Sequence, residues 1–291
     1  MTLFKGKIKK RYLHSFLHGI STMVDECKLD IQPDGIYVKE VDPGNVCMVD
    51  AKLPEQNFEQ GSYWIKKPIV VGIDLLNYLQ IFTDDDFDDD IFELNLLEPV
   101  GEDTPKLNTM VCKNVLENVR CKVRYEHTTL KIESIRRSPK IPNIDLPLEI
   151  TIPLEFLKHG INAVDHVDSD HMYIGVNFNT GPMLFMKNHD GGNIAGIKIT
   201  VNHLPGFKYN NFNKNVYNNF DKNTCLVRYK EIKTLFSLDY LKDILKGLSK
   251  YGYNDNITLH LGTDCPVIIS TNFGVKGPDL KFMLAPRIQD D

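Results

Sequence analysis

Residues 134–147 read SIRRSPKIPNIDLP, and this stretch decides how the rest of the chain is organised. Its three prolines exclude a helix or a central strand, because proline lacks the amide hydrogen that both structures use. Proline also biases the residue before it towards extended geometry. The stretch therefore predicts an extended connector near the midpoint of the chain, between an N-terminal domain at 1–133 and a C-terminal domain at 148–291.

The composition is typical of a globular chain rather than a fibrous or membrane-spanning one. A length of 291 residues favours two domains, and no run approaches the roughly 18 apolar residues of a membrane span. The N-terminal MTLFKGKIKKRY lacks the apolar segment of a signal peptide. The six cysteines show no CxxC spacing, which predicts buried thiols in a reducing compartment rather than a zinc site. The net charge of -5 excludes a protein covered in positive charge but leaves room for a local basic face.

Apolar side chains recur at helical spacing in four segments. These predicted helices are residues 10–24, 73–83, 153–167 and 237–250. Between them, alternating apolar and polar residues, bounded by turns such as Pro33–Asp34–Gly35, predict strands. Residues 98–110, the acidic run at 84–90 and the Asn-rich stretch at 207–223 predict polar surface loops. The pattern indicates an α+β protein.

The two halves of the chain repeat each other, which indicates an internal duplication. FLHGI at 16–20 resembles FLKHGI at 156–161, and the two glycines of these motifs lie 141 residues apart. The later helices and the strands after them match at a larger offset, since Asp239 lies 165 residues after Asp74. The repeated unit is a helix, strands, a second helix and further strands.

Three of the predicted helices carry basic side chains opposite an apolar stripe. In the last of them, Lys242, Lys246 and Lys250 recur every four residues. A solvated surface helix shows the same pattern, so one helix alone indicates little. Three such helices in a duplicated fold favour a surface for a polyanion, because phosphate contacts give affinity without reading bases.

Four stretches carry a specific resemblance to a known family. They are VDPGNVCMVDAKL (41–53), SIRRSPKIPNIDLPLEITIP (134–153), GGNIAGIKI (191–199) and KFMLAPRIQDD (281–291). In these stretches the chain resembles the sliding clamps of the proliferating cell nuclear antigen (PCNA) family, and most closely the archaeal type. The likeness spans nearly the whole chain and lapses in the longer loops near 99–120 and 202–225.

The resemblance implies a DNA-clamp fold, in which two similar domains each place helices on one face of antiparallel sheets. Three subunits would form a ring around double-stranded DNA, without sequence preference, and act as a processivity factor. DNA polymerase, a clamp loader and other replication and repair proteins would bind through a short clamp-binding peptide. No enzyme activity, cofactor, metal ion or membrane is implied. The location would be the cytoplasm of an archaeal or virus-infected cell, or the nucleus of a eukaryote.

The resemblance also assigns three sets of residues. The DNA channel would carry Lys10, Arg11, His14, His18, Lys158, His159, Lys242, Lys246 and Lys250. The peptide groove would be lined by Val41, Asn45, Val46, Met48, Ile144, Leu146, Pro266, Met283, Leu284, Ala285 and Pro286. Asn45 would lie where a partner's glutamine is recognised. Subunits would join by pairing 128–134 with 193–201 of the next chain, through Thr128, Leu130, Ile132, Ile194, Ile197 and Ile199.

The chain departs from the family pattern on the surface that would face DNA. Gln80, Thr83, Asp84 and Asn162 stand where archaeal relatives usually carry basic residues. The histidines are mostly neutral at pH 7 when unperturbed. The expected inner surface is therefore less positive than usual, and its DNA contact weaker and more sensitive to salt.

Two alternatives remain open from the residues. HVDSDH at 166–171 contains ligand-type side chains, so a metal-dependent nucleic-acid enzyme is one, although a polar turn explains the same letters. The other keeps the fold and changes the assembly, to one subunit of a heterotrimeric or checkpoint-type ring or to a monomeric processivity factor. Neither a nucleophile–base pair nor a glycine-rich phosphate loop is present in the sequence.

Overall fold

The computed structural model divides the chain into two compact units. Unit 1 comprises Met1–Lys140, Lys246–Tyr253 and Asn272–Lys281, and unit 2 comprises Ile141–Leu245, Asn254–Thr271 and Phe282–Asp291. The domain bounds 1–133 and 148–291 stay a prediction. The structure describes residues 1–83, 89–99, 104–116, 119–135, 139, 144, 146–179, 182–189, 193–200, 203–209, 231–249, 256–272 and 277–287. Most of the connector, the Asn-rich stretch and Lys250 therefore lie outside the described residues.

The N-terminal half contributes two helices and two antiparallel sheets among its described residues. The elements are β1 Thr2–Lys9, α1 Lys10–Ser21, β2 Glu26–Gln32, β3 Gly35–Val41, β4 Cys47–Pro54, β5 Trp64–Ile65, β6 Ile69–Asp74, α2 Leu75–Leu79, β7 Ile91–Leu97, β8 Lys106–Leu116 and β9 Val119–Thr128. One sheet has the strand order β5, β1, β7, β8, β9. In the other, the order is β4, β3, β2, β6.

The C-terminal half repeats this arrangement. Its elements are β10 Leu148–Pro153, α3 Leu154–Asp165, β11 His171–Asn177, β12 Met183–Asn188, β13 Gly196–Thr200, β14 Gly206–Tyr209, β15 Glu231–Ser237, α4 Leu238–Ser249, β16 Asn256–Leu261, β17 Val267–Asn272 and β18 Asp279–Leu284. One sheet runs β14, β10, β16, β17, and a second runs β13, β12, β11, β15. Each unit thus combines helices with antiparallel sheets, as the α+β prediction requires.

Strand pairing shows the duplication directly. In the first half β1 pairs with β5 and β7, and in the second half β10 pairs with β14 and β16. Ile8 lies opposite Phe92 in the first ladder, and Ile152 lies opposite Ile257 in the second. These equivalent positions give an offset of 144 residues between Ile8 and Ile152, three more than the glycine motif of the helices suggests.

Three predicted boundaries are corrected by the structure. Helix α1 ends at Ser21 rather than 24. Helix α2 has only five residues, because Asp74 completes β6 and its carboxylate accepts the Asn77 amide hydrogen at 2.9 Å as the helix cap. The loop predicted at 98–110 is strand in part, since β8 begins at Lys106.

Apolar side chains form the interior of each unit. Phe4, Phe16 and Phe92 are fully buried in unit 1, and Met172 and Leu184 in unit 2. None of the helices in the described residues is long and apolar enough to cross a membrane. The prediction that all the cysteines are buried is wrong. Among the described cysteines, burial is complete for Cys27 and Cys47 and only partial for Cys112, Cys121 and Cys265.

Candidate nucleic-acid interface and subunit edges

The basic residues at the start of α1 are engaged within unit 1. Lys10 is only 6% exposed, and its Nζ donates to the backbone oxygen of Thr83 at 3.0 Å. The guanidinium of Arg11 lies 4.9 Å from the centre of the Tyr12 ring and 3.6 Å from the carboxylate of Asp89. Lys10 is therefore a buried anchor, whereas Arg11 remains half-exposed and able to reach an anion.

The two histidines of α1 differ in exposure. His14 is buried, and its ring lies 4.6 Å from Phe82 and 5.6 Å from His18, nearly parallel to the latter. His18, one turn later, is half-exposed. Helical spacing predicts that both histidine rings share a face, but only the fold shows that Phe82 also contacts His14. His18 is the histidine of this pair that an external ligand can contact.

One lysine on α3 and one on α4 form ion pairs with acids of the same unit. Lys158 is 3.2 Å from Glu155, three residues earlier on α3. Lys242 on α4 lies 2.5 Å from Asp165 at the end of α3 and 3.7 Å from Asp239. The hydrogen bond to Asp165 is the main cause of the raised pKa of Lys242. His159 and Lys246 are exposed.

These acids lower the positive charge of the surface further than the sequence predicts. Glu155 and Asp239 are visible in the sequence at the i−3 positions of their lysines. Asp165 could not be found in this way, because it is 77 positions before Lys242 and only the fold brings the two together.

A rigid turn presents Asn45 and Val46, two of the residues predicted for the peptide groove. The buried carboxylate of Asp42 accepts the amide hydrogens of Gly44 at 2.8 Å, Val46 at 2.7 Å and Cys47 at 2.6 Å. Asn45 has a φ of 56°, in the left-handed region that asparagine tolerates. Its side chain is exposed. Val41 and Val46 are half-buried, and Met48 is buried.

The groove residues predicted in unit 2 divide into core and surface positions. Leu284 is completely buried, and Leu146 and Met283 are nearly so. The others, half-buried, are Ile144, Pro266, Ala285 and Pro286. The amide of Arg287 donates to the oxygen of Leu235 at 2.8 Å, which fixes the end of the described tail along β15. Leu284 therefore belongs to the core, whereas the half-buried residues can contact a partner.

The strands nearest the predicted subunit contacts, β9 and β13, each lie at the end of a described sheet. β9 pairs only with β8, and β13 pairs only with β12. Of the segment 128–134 predicted for subunit contact, Thr128 alone lies in edge strand β9, because Leu130 bridges to Gly72 and Ile132–Ser134 form a 3-10 turn. On β13, Ile197 and Ile199 are half-buried, and Ile194 before it is 87% exposed. Of the residues predicted for subunit contact, Thr128 on β9 and Ile197 and Ile199 on β13 thus lie on end strands.

His127 on β9 is a half-buried titratable side chain of unit 1. Its ring lies 4.7 Å from that of the buried Tyr78, and Nε2 is buried without a hydrogen-bond partner among the described residues. Burial lowers the pKa of His127 below its ordinary value of 6.5, and the charge of Asp74 opposes this only in part. The folded protein therefore favours the neutral imidazole.

We expect the thermal stability of the protein to fall as pH drops from 6.5 to 5, because the unfolded chain then binds a proton that folded His127 resists. His127→Gln should flatten this part of the pH profile, measured as the melting temperature at each pH. His166→Gln, on an exposed histidine, is the control and should leave the profile unchanged. Identical slopes for wild type and His127→Gln would contradict the assignment.

The HVDSDH segment, considered above as a metal site, forms the turn before β11. Asp168 has a φ of 53°, and the hydroxyl of Ser169 donates to the oxygen of His171 at 2.9 Å. Nδ1 of His166 lies 2.6 Å from the oxygen of Asn162. In the described part of the chain, no group of three or more His, Cys, Asp or Glu side chains is placed to hold a metal ion.

Similar proteins are found over the full length of the chain. "DNA polymerase sliding clamp" is the name of relatives from Methanococcoides burtonii, Methanocella arvoryzae and Natronomonas pharaonis, each 29% identical over 99% of this chain and 100% of its own length. No family model matches the chain.

Solved structures show the same fold. PCNA of A. fulgidus, bound to the C-terminal region of FEN-1, has a TM-score of 0.75 at 23% identity and covers 99% of this chain and 100% of its own. PCNA of Thermococcus kodakaraensis has a TM-score of 0.74 at 18% identity, covering 98% and 100%. The predicted α+β clamp fold with two similar halves is confirmed by these structures. The chain thus resembles archaeal DNA polymerase sliding clamps over its whole length and has the fold of PCNA.

Proposed function

We propose that this chain is a DNA polymerase processivity factor, a sliding clamp that encircles double-stranded DNA and tethers replication and repair enzymes. The observation that carries the proposal is agreement with archaeal sliding clamps over 99% of the chain, together with the PCNA fold. In this role the chain performs no chemical step of its own. Its archaeal relatives favour a cytoplasmic site of action.

The free edges support closure into a ring. β9 and β13 each lack a second neighbour among the described strands, and both carry apolar side chains on one face. Pairing β9 of one copy with β13 of the next would satisfy the exposed backbone groups and cover those side chains. We propose three copies as the closed assembly. In this arrangement β9 replaces segment 128–134 as the pairing strand.

Partner peptides are proposed to contact the surface positions of the predicted groove. In unit 1 these are Asn45 and Val46, which the Asp42 turn holds in place. In unit 2 they are Pro266, Ala285 and Pro286. The A. fulgidus PCNA structure contains a bound C-terminal region of FEN-1, which supports peptide capture as the mode of tethering. DNA polymerase and a clamp loader are proposed to bind in the same manner.

Contact with the duplex is proposed to rest on Arg11, His18, Lys158, Lys242 and Lys246. We expect Lys242→Ala with Lys246→Ala to shorten the products of the cognate polymerase at moderate salt. The slope of log Kobs against log salt concentration for duplex binding should become shallower by up to about 5. A ring of three copies loses six phosphate contacts, and each contributes about 0.9 to that slope. Primer extension and duplex binding over a salt series measure both effects.

Lys208→Ala is the matched control, because Lys208 is an exposed lysine of unit 2 that pairs with Glu149 at 2.6 Å on another strand. It should leave extension unchanged. Unchanged extension by the double variant would remove Lys242 and Lys246 from the channel. Absence of any processivity gain from the wild-type protein would instead reject the clamp function.

A heteromeric ring is the second candidate, and one observation favours it. β9 exposes Lys122, Arg124 and one acid, Glu126, and β13 exposes Lys198, so pairing two identical copies brings more cations than anions to the junction. A PCNA2–PCNA3 complex from Sulfolobus tokodaii has the same fold, with a TM-score of 0.72 at 16% identity. A single species of three times 33.3 kDa, about 100 kDa, in light scattering of the protein alone supports the homotrimer instead.

A further inference from the structure

The sheet β13, β12, β11, β15 of unit 2 has two chemically different faces. One is packed into the core through Met172, Ile174, Leu184 and Met186, all buried. The opposite face carries two aromatic rings and three lysines on four neighbouring strands. We name it the lysine–aromatic face, and its residues are Tyr173, Phe185, Lys187, Lys198 and Lys233.

The strand register brings these side chains together. Tyr173 on β11 lies opposite Lys187 on β12, and Phe185 on β12 lies opposite Lys198 on β13. Nζ of Lys187 is 5.8 Å from the centre of the Tyr173 ring and 5.5 Å from that of Phe185. Nζ of Lys233, on β15, is 5.1 Å from the Tyr173 ring. The rings thus occupy the two central strands, and lysines flank them on three strands.

Gly175 shapes this face. It lies opposite both Phe185 and Lys233 in the sheet. A Cβ atom at this position would come within 2.7 Å of Cζ of Phe185 and 2.8 Å of Cβ of Lys233. The missing side chain therefore lets the half-buried phenyl ring lie over the strand.

The charge of the face is positive. Both Lys187 and Lys198 are exposed, and neither forms an ion pair with a described residue. Lys233 has one acidic neighbour, Glu231, at 3.7 Å. His189 adds a further exposed ring 5.5 Å from Tyr173. Three lysines against one glutamate make this an anion-attracting surface on a chain whose net charge is -5.

An ordinary lysine–tyrosine contact on this protein has a different form. In unit 1, Nζ of Lys52 lies 4.9 Å from the Tyr37 ring, but Asp34 accepts hydrogen bonds from both side chains. The carboxylate of Asp34 therefore neutralises the charge of Lys52 within that cluster. On the lysine–aromatic face only Lys233 has an acidic neighbour, and Lys187 and Lys198 form no ion pair with a described residue.

We propose that the lysine–aromatic face binds single-stranded nucleic acid. Two rings on adjacent central strands of a four-stranded antiparallel sheet can stack successive bases, which is sequence-tolerant because every base has a π-face. Lysines 187, 198 and 233 then contact the phosphates on either side of the stacked bases. The site goes beyond the duplex channel of the proposed clamp, since it involves neither α3 nor α4 side chains.

The test measures fluorescence anisotropy of a labelled oligo(dT) of about 15 nucleotides titrated with the full chain. Tyr173→Leu and Phe185→Leu keep apolar volume but remove the rings, and each should weaken binding about tenfold or more. Lys187→Gln with Lys198→Gln should make the slope of log Kobs against log salt concentration shallower by about 1.4, because each of the two lost phosphate contacts contributes about 0.7. Melting temperatures close to wild type confirm that the variants fold.

Two controls make the result specific. Tyr37→Leu removes a lysine-packed tyrosine of unit 1 and should leave oligo(dT) affinity unchanged. Lys242→Ala with Lys246→Ala should also leave it unchanged, although it impairs duplex tethering, so this site and the clamp function can fail separately. An oligo(U) of equal length distinguishes RNA from DNA as the preferred strand.

Three outcomes overturn the proposal. The first is no saturable binding of either strand at low salt. The second is equal affinity of wild type and both aromatic variants, because stacking would then contribute nothing. The third is that only the lysine variants lose binding and that the wild-type protein binds heparin as tightly as oligo(dT). That result would indicate a general polyanion surface.

Discussion

Lys198→Pro is expected to dissociate the proposed trimer into monomers of 33.3 kDa and to abolish the proposed gain in polymerase processivity. Asn188 donates its amide hydrogen to the oxygen of Ala195 at 3.0 Å, and hydrogen-bonded pairs alternate along an antiparallel ladder. Lys198 therefore directs its own amide hydrogen away from β12, towards the free edge. Proline there removes a donor that only a neighbouring subunit would use, while the contacts within unit 2 remain.

Lys198→Val provides the matched control, because it removes the same charge and keeps the amide hydrogen. Light scattering should report monomers for the proline variant and the wild-type mass for the valine variant. Circular dichroism should show that both variants are folded. An oligomer that persists in Lys198→Pro would show that β13 is not the edge through which subunits pair.

Gly35→Ala should produce the largest loss of stability among single-methyl changes in unit 1. Gly35 begins β3 with a φ of 145°, which side chains rarely adopt. A Cβ atom there would lie 2.6 Å from the oxygen of Leu53 and 3.0 Å from Cα of Pro54, both of them backbone atoms of β4. Strain and clash together should cost about 3 kcal/mol, which corresponds to a melting temperature lower by roughly 10 °C.

Gly61→Ala separates the two causes. Gly61 has a φ of 70°, but nothing lies within 4 Å of a Cβ atom at that position. Only the left-handed conformation is then penalised, by about 1 kcal/mol. Differential scanning calorimetry of both variants compares the losses. Equal losses would mean that the approach of β4 to Gly35 contributes nothing.

The sequence was sufficient for the fold class and the order of elements. The period of apolar residues located all four helices, and α3 and α4 agree with their predicted bounds to within two residues. The apolar period gave wrong bounds for α2, because the first residues of 73–83 belong to β6. A short strand that runs directly into a helix leaves one continuous apolar pattern, and only the cap at Asp74 divides it.

The candidate sites were less predictable because side-chain partners are distant in sequence. Lys10 and Arg11 are adjacent in the chain, yet Lys10 is buried against Thr83 while Arg11 keeps access to solvent. The partnership of Lys242 with Asp165 depends on how α3 and α4 pack. The subunit contact at 128–134 stays a prediction, and within it only Thr128 belongs to end strand β9, because Ile132–Ser134 form a 3-10 helix.

The inequality of the two free edges has a directional consequence. β9 and β13 differ in length, sequence and unit, so one can join the other but neither can join its own copy in the same way. In the proposed ring, such head-to-tail contacts would give every protomer the same orientation. The proposed ring would therefore have two different faces, and enzymes bound at Asn45 of successive protomers would all meet the duplex with the same polarity.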